Sequence, residues 1–106
     1  MLRHVALFSW NPDASAAAIR AFADGLAALP GRVPEIRSYT FGPDARLAGL
    51  PGQDAASGGA DDFALVADFD DAAAYLRYAE HPAHRHLIAE LLRPIVAGRH
   101  AVQYDV

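Results

Sequence analysis

Hydrophobic residues alternate with a period of two in three stretches of the chain, which is typical of β-strands that bury one face. These predicted strands are Leu2–Phe8, Phe63–Phe69 and His100–Asp105, and a further strand is predicted at Glu35–Phe41, just before Gly42 and Pro43. Leu2–Phe8 carries apolar side chains on both of its faces, so we expect both faces of this strand to be covered.

The segment after the first strand has the spacing of an amphipathic helix. The apolar positions that define this helix are Ile19, Phe22, Leu26 and Leu29. Asp13 or Ser15 is expected to cap its first turn, and Pro30–Gly31 is expected to end it.

A second helical region follows the third strand and is divided by Pro82. Asp70–Asp71 can cap a helix that ends near Ala79, because the proline ring disfavours helical geometry at the preceding residue. Pro82 can itself open another helix, which Pro94 kinks or ends. One face of that last helix is apolar except for a histidine. The residues that share this face by helical spacing are His84, Leu87, Ile88, Leu91 and Ile95.

The predicted order is strand, helix, strand, strand, helix, strand, which is the split βαβ arrangement of an α+β ferredoxin-like sandwich. With 106 residues, the chain is expected to form a single domain over residues 1–106, with a four-stranded antiparallel sheet. Its helices should cover one face of that sheet. The Gly-, Ala- and Asp-rich stretch Asp44–Asp61 is predicted to be a long, mobile loop, most mobile over residues 48–60.

The second face of the predicted sheet is apolar and has no helix to cover it. Its central positions are Val5, Leu7, Ala64 and Val66. An uncovered apolar face of this kind indicates an interface, and the simplest arrangement is a two-fold homodimer that buries sheet against sheet.

Composition excludes several other classes of protein. The formal net charge of −4 and the lack of a basic stripe argue against nucleic acid and anionic membranes as partners. No run of eighteen apolar residues is present, and the N-terminal residues are interpreted as a strand, not a signal peptide, so a cytoplasmic location is expected. The absence of cysteine removes disulfides, thiolate metal sites and thiol nucleophiles.

The segment Tyr78–His84 carries the most promising chemistry. His84 would lie in the first turn of the helix that Pro82 opens, where the helix dipole disfavours a charged imidazolium. A neutral imidazole can accept a proton, so His84 is a candidate general base. Tyr78 keeps its proton at neutral pH and is a candidate hydrogen-bond donor to a developing enolate oxygen.

One structural alternative remains for this segment. Tyr78 and His84 could instead hydrogen-bond each other and hold the corner between the two helices. A metal site is not predicted, because His84 and His86 point to different faces of one helix and His81 precedes it. His100 is expected to be structural or exposed.

Several motifs together resemble the stress-responsive dimeric α/β-barrel (Dabb) domain family, over nearly the full length. The most specific is the Tyr78–His84 run, with its His-Pro-Ala-His sequence after a tyrosine. The other matching stretches are Leu2–Phe8, Leu29–Pro30, Gly42–Asp44, Phe69–Asp71 and Tyr104–Asp105.

The resemblance implies a homodimer whose two sheets close a β-barrel, with a cavity between the sheet and the helices of each subunit. The family includes the plant olivetolic acid cyclase, which closes a linear polyketide by an aldol condensation without a cofactor. By this resemblance His84 and Tyr78 are the catalytic residues and no cofactor or metal is expected. The implied substrate-binding residues are His4, Ala6, Phe8, Phe22, Leu26, Leu65 and Ala67.

Three classes of function are therefore open. The first is a cofactor-free cyclase or lyase that acts on a small apolar carbonyl or aromatic compound. The second is a non-catalytic stress-response or small-ligand-binding protein of the same fold. The third is a cofactor-independent monooxygenase, because oxygenases acting on quinols and polyketides share the dimeric barrel.

Overall fold

Four antiparallel strands form one sheet in the order β2-β3-β1-β4, and the helices pack against one of its faces. The computed structural model describes residues 1–47 and 61–106. In chain order the elements are β1 (Leu2–Trp10), α1 (Ala16–Ala28), a 3₁₀ turn (Leu29–Gly31), β2 (Ser38–Pro43), β3 (Phe63–Phe69), α2 (Ala72–Glu80), α3 (Pro82–Leu87), a π-helical segment (Ile88–Leu92) and β4 (Val96–Asp105).

This order and topology confirm the predicted ferredoxin-like sandwich, with differences at the end of β1, at both ends of β2 and at the start of β4. β2 begins at Ser38 and not at Glu35, because the backbone turns at Val33, whose carbonyl accepts from the Ile36 amide. The long loop predicted between Asp44 and Asp61 lies largely outside the described residues.

Both strands of the β1–β4 pair are longer than the period-two pattern indicates. β1 continues to Trp10, and β4 begins at Val96 and not at His100. The Ala-Gly sequence at the start of β4 has low strand propensity, so pairing with the end of β1 sets this boundary. Gly98 is suited to its position beside Ser9, because a Cβ there would lie 2.9 Å from the Ser9 hydroxyl oxygen.

The two faces of the sheet differ in burial within this one chain. The face toward the helices is closed: His4, Ala6 and Phe8 are at most 3% exposed. They lie opposite Ala67, Leu65 and Phe63 in the β1–β3 register. On the other face, Val5, Leu7, Ala64 and Val66 are only partly buried within this chain.

Each helix begins at a side chain that accepts from the backbone of its first turn. Ser15 Oγ accepts from the Ala18 amide at 3.0 Å, which decides between the two predicted caps of α1. Asp71 Oδ1 accepts from the Ala74 amide at 2.8 Å and begins α2. His81 ends α2 in an extended conformation, and its Nδ1 accepts from the Ala83 amide at 3.0 Å as α3 begins.

The last helical region changes its winding after α3. Residues 88–92 form a π-helical segment in which the Arg93 amide donates to the carbonyl of Ile88, five residues earlier, at 2.9 Å. Such segments widen a helix locally and are frequent at functional sites. Pro94 follows and ends the helix, as predicted. Within residues 1–47 and 61–106, no helix combines the length and hydropathy that a membrane crossing requires.

We predict that Asp71→Ala lowers the free energy of unfolding by about 1 kcal/mol, because the Ala74 amide loses its acceptor. Urea unfolding followed by circular dichroism measures the change. Asp71→Asn keeps a side-chain oxygen and is the matched control, with stability close to wild type. Equal losses in the two variants would contradict a capping role for Asp71.

Candidate active site

A narrow cavity lies between the sheet and the helices, beneath the corner where α2 meets α3. Its volume is about 20 Å³, which is room for about one water molecule. Six of its ten lining residues are apolar and four are polar. The lining residues are His4, Ala6, Phe8, Phe22, Leu26, Leu65, Tyr78, His84, Ile88 and Arg99.

Tyr78 reaches this cavity from the last turn of α2 and is 2% exposed. Its hydroxyl lies 2.8 Å from the hydroxyl of Tyr39 on β2. Burial raises the pKa of Tyr78 to about 12, although the hydrogen bond with Tyr39 acts in the opposite direction. Burial also raises the pKa of Tyr39. Both phenols therefore keep their protons at neutral pH.

His84 packs against Tyr78 from the first turns of α3, with 4.3 Å between the ring centroids. Its Nδ1 lies 3.1 Å from the carbonyl oxygen of Ala79. Because a carbonyl oxygen only accepts, Nδ1 carries the proton and Nε2 keeps a free lone pair. Burial lowers the pKa of His84 despite the opposing effect of the bond to Ala79, so the ring is neutral near pH 7.

His4 presents the opposite tautomer to the same cavity. Its Nδ1 lies 2.8 Å from Nε2 of Gln103 on β4, and this amide nitrogen donates to the ring. A neutral His4 therefore carries its proton on Nε2. Burial, followed by the nearby charge of Arg99, lowers the pKa of His4 to about 4.

The cavity thus has one proton acceptor and two proton donors. His84 has a lone pair at Nε2 and His4 has a proton on Nε2, whereas the Tyr78 O–H is a donor when Tyr39 donates in the bond that the two phenols share. The rings of His4 and Tyr78 are 6.5 Å apart, so the three groups form one cluster. A base with two donors beside it is suited to removing a proton next to a carbonyl group and stabilising the resulting oxyanion.

Most of the residues predicted for the site come together at this cavity. Ala67 is the exception: it is fully buried opposite His4 and Tyr39 in the sheet and is not among the lining residues. The alternative of a direct hydrogen bond between Tyr78 and His84 is not found in the structure, because each of them bonds to a different partner. His100 is exposed, and its Nδ1 lies 3.7 Å from Asp61, in agreement with the prediction.

Sequence reasoning missed four residues that shape the site. Tyr39 and Gln103 orient Tyr78 and His4, while Ile88 and Arg99 complete the cavity lining. The register of β4 against β1 sets Gln103 opposite His4 and Arg99 opposite Phe8. Gln103 and Arg99 are four positions apart, so period-two alternation puts them on the same face of β4. Sequence reasoning could have assigned both to the cavity face if the predicted strand had begun at Val96.

No group of three His, Cys, Asp or Glu side chains in the described ranges is arranged to hold a metal ion. His81 uses its Nδ1 to cap α3, and His84 uses its Nδ1 on the Ala79 carbonyl. Two of the three clustered histidines of the sequence are therefore committed to different local contacts.

Comparisons with known proteins agree on the fold. A family model described as Stress responsive A/B Barrel Domain matches residues 2–106. A dimeric ferredoxin-like protein of unknown function from Thermobifida fusca YX is 36% identical, with a TM-score of 0.82, and the match covers 99% of this chain and 90% of that one. No curated protein sequence matches the chain significantly.

Two more distant structures are similar in fold alone. A dimeric protein of unknown function with a ferredoxin-like fold from Bacteroides fragilis is 23% identical, with a TM-score of 0.80 and coverage of 99% of this chain and 95% of that one. The hydroxynitrile lyase from Passiflora edulis is 20% identical, with a TM-score of 0.80 and coverage of 99% and 92%.

We predict that the protein loses stability when the pH falls from about 7 to about 5. The pKa of His4 is 6.5 in its unperturbed form and about 4 in the folded protein, so the unfolded chain binds a proton first. Stability therefore falls as the pH is lowered through this window, by about 1–2 kcal/mol for His4. His84, whose pKa is also lowered, adds to the loss.

Urea unfolding at the two pH values measures the loss, and His4→Leu should reduce it. Asp62 and Asp68 also have lowered pKa values, but they titrate below 3.8 and do not contribute in this window. His86→Leu, at an exposed position of α3, is the matched control and should keep the wild-type pH dependence. An identical pH dependence in wild type and His4→Leu would contradict the role of His4.

Proposed function

The chain belongs to the stress-responsive A/B barrel (Dabb) family, and from this premise we propose that it is a cofactor-free acid–base enzyme. Its substrate is a small apolar carbonyl compound, and its reaction is an aldol-type cyclisation or the related lyase cleavage. His84 is the general base and Tyr78 is the donor to the developing oxyanion. His4, Ala6, Phe8, Phe22, Leu26 and Leu65 form the substrate pocket, with Ala67 in the layer behind it.

The observation that carries this proposal is the pairing of Tyr78 and His84 at one cavity wall. Their rings are 4.3 Å apart, yet each makes its hydrogen bond elsewhere. If the pair only held the helix corner together, a direct bond between them would serve that purpose. The bond from His84 to Ala79 instead leaves Nε2 available as a proton acceptor.

In the proposed step, His84 Nε2 removes a proton from the carbon beside the substrate carbonyl, and the C–H electron pair forms an enolate. The Tyr78 hydroxyl and the His4 Nε2–H donate hydrogen bonds to the enolate oxygen. The enolate carbon then attacks a second carbonyl of the same molecule, and the His84 imidazolium protonates the new alkoxide. Every group returns to its starting state, so this chemistry needs no cofactor.

The same groups can also break a carbon–carbon bond. His84 would remove the proton of a hydroxyl group, the carbon–carbon bond would break as the carbonyl forms, and the departing carbanion would receive that proton. The Passiflora edulis protein of similar fold is a hydroxynitrile lyase, and cleavage of a hydroxynitrile follows this pattern. This similarity supports the inclusion of lyase chemistry in the proposal.

Tyr39 acts in this proposal as a positioning residue. The two phenols share one hydrogen bond, and each has one proton. When Tyr39 donates to the Tyr78 oxygen, the Tyr78 proton is free to point into the cavity. Donation from Tyr39 also lowers the pKa of Tyr78 and strengthens it as a donor.

A non-catalytic stress-response or small-ligand-binding protein is the alternative, and the size of the cavity favours a protein that holds no organic molecule there. The cavity holds about one water molecule, so an organic substrate enters only after side chains in the wall move apart. A stress-response protein that uses the same fold without turnover would need no such movement. The two proposals differ in whether His84 supports exchange of a substrate proton.

We also propose that the chain forms a homodimer through the outer face of its sheet. Val5 and Val66 are paired at the centre of that face, and Leu7 is paired with Ala64 beside them. All four are only partly covered within one chain. The proteins from Thermobifida fusca and Bacteroides fragilis are both described as dimeric, which supports the same assembly here.

We predict that His84→Ala abolishes proton exchange while it leaves the melting temperature close to wild type. The probe reaction is deuterium exchange at the methyl group of acetophenone in heavy water, followed by NMR. Loss of a general base should lower the rate by about 10²–10⁴-fold. Cleavage of mandelonitrile, followed by ultraviolet absorbance, tests the lyase reaction with the same variant.

Three further variants separate catalysis from structure. Tyr78→Phe removes only the hydroxyl and should lower the rate by about 10²-fold, whereas Tyr39→Phe should have a smaller effect. Arg20→Ala, at an exposed position of α1 that lines neither the cavity nor the cleft, should retain the wild-type rate. The enzyme proposal is wrong if His84→Ala exchanges the proton at the wild-type rate. It is also wrong if the wild-type protein shows no exchange and His84→Ala loses about 1–3 kcal/mol of stability, because His84 is then structural.

We predict that Val66→Asp converts the dimer to monomers or insoluble protein, because it would bury a charge in an apolar interface. Analytical ultracentrifugation measures the mass against the 11.3 kDa of one chain. Ala17→Asp, at an exposed position of α1, is the control and should remain dimeric. A wild-type mass of one chain would contradict the proposed assembly.

A further inference from the structure

A second, larger cleft lies against the outside of the cavity wall. Its volume is about 560 Å³, far more than that of the cavity itself. His84 and Ile88 line both spaces, so these two side chains separate the cleft from the cavity. The remaining residues that line the cleft are Ala79, Arg85, His86, Ala89 and Arg93. The cleft is therefore a route by which a molecule could reach Tyr78 and His84.

The cleft is cationic although the chain as a whole is acidic. The sequence has 13 acidic and 9 basic residues, yet the residues that line the cleft include two arginines, Arg85 and Arg93, and no carboxylate. Arg85 and Arg93 form no ion pair with a carboxylate in residues 1–47 or 61–106. A local positive field of this kind attracts anions from solution.

Arg99 adds a further positive charge at the cavity, which its side chain helps to line. It lies on β4 opposite Phe8 and is exposed, and it too has no ion pair within the described parts of the chain. Its charge lowers the pKa values of His4, Tyr78 and His84, which is consistent with a position close to all three. An unpaired guanidinium beside an apolar cavity is suited to holding one carboxylate through two parallel hydrogen bonds.

We propose that the substrate is a carboxylate on a small apolar body, and that Arg99 is the residue that selects it. This inference rests on the proposed function and assigns a substrate class to the same site. The cationic cleft attracts the molecule, and its apolar body passes between His84 and Ile88 into the cavity. Arg99 binds the carboxylate at the mouth, which leaves the reacting carbonyl beside His84 and Tyr78.

Benzoate and benzamide are the probes, because they have nearly the same shape and differ in charge. Isothermal titration calorimetry should show that wild type binds benzoate about tenfold more tightly than benzamide, as expected for a hydrogen bond to a charged group. Arg99→Gln should bind the two with similar affinity. Arg20→Gln, an exposed arginine of α1, is the matched control and should retain the preference for benzoate.

NMR locates the bound probe, and benzoate should shift the Ile88 methyl signals. The inference is overturned by equal affinities in wild type, by no binding of either probe, by a preference that persists in Arg99→Gln, or by unshifted Ile88 signals. Circular dichroism and the melting temperature check that Arg99→Gln remains folded.

Binding requires no turnover, so this experiment is independent of the test of catalysis. If proton exchange depends on His84 while Arg99→Gln keeps its preference for benzoate, only the present inference fails. If Arg99 selects benzoate while no exchange depends on His84, the enzyme proposal fails and the carboxylate site remains.

Discussion

Burial of the Tyr78 phenol constrains the rest of this structure. A tyrosine that is 2% exposed gains stability from its ring, but its hydroxyl then needs a hydrogen-bond partner inside the protein. Tyr39 on β2 provides that partner at 2.8 Å, which fixes α2 relative to an edge strand of the sheet. Around the ring, Phe69 and His84 pack at centroid distances of 4.9 and 4.3 Å. Tyr78 therefore belongs both to the core and to the candidate site.

The break between α2 and α3 gives the neighbouring histidine its chemical character. Pro82 ends one helix and opens the next, and His81 adopts an extended conformation between them. This turn leaves the Ala79 carbonyl facing His84, whose Nδ1 donates to it. The backbone bond therefore fixes the tautomer that keeps Nε2 free. The Gln103 amide fixes the opposite tautomer in His4, so two identical side chains serve as acceptor and donor in one cavity.

Local patterns in the sequence determined the elements and their order. Period-two alternation identifies β1 and β3, and helical spacing identifies α1, because each element must bury one side. The effect of Pro82 could be predicted without a structure, since its ring restricts its own backbone and that of the preceding residue in any tertiary environment. The family resemblance added His4, on β1, to the site. These inferences depend on a residue and its near neighbours in the chain.

Only the tertiary structure decided the contacts between distant strands. Tyr39 and Gln103 are separated from their partners by 39 and 99 positions, and nothing local to either residue indicates the pairing. The start of β4 depends on its register with β1, which overrides the weak strand propensity of Ala97 and Gly98. Arg99 faces the cavity for the same reason. Hydrogen bonds and charges act through space, so these roles appear only when the sheet is assembled.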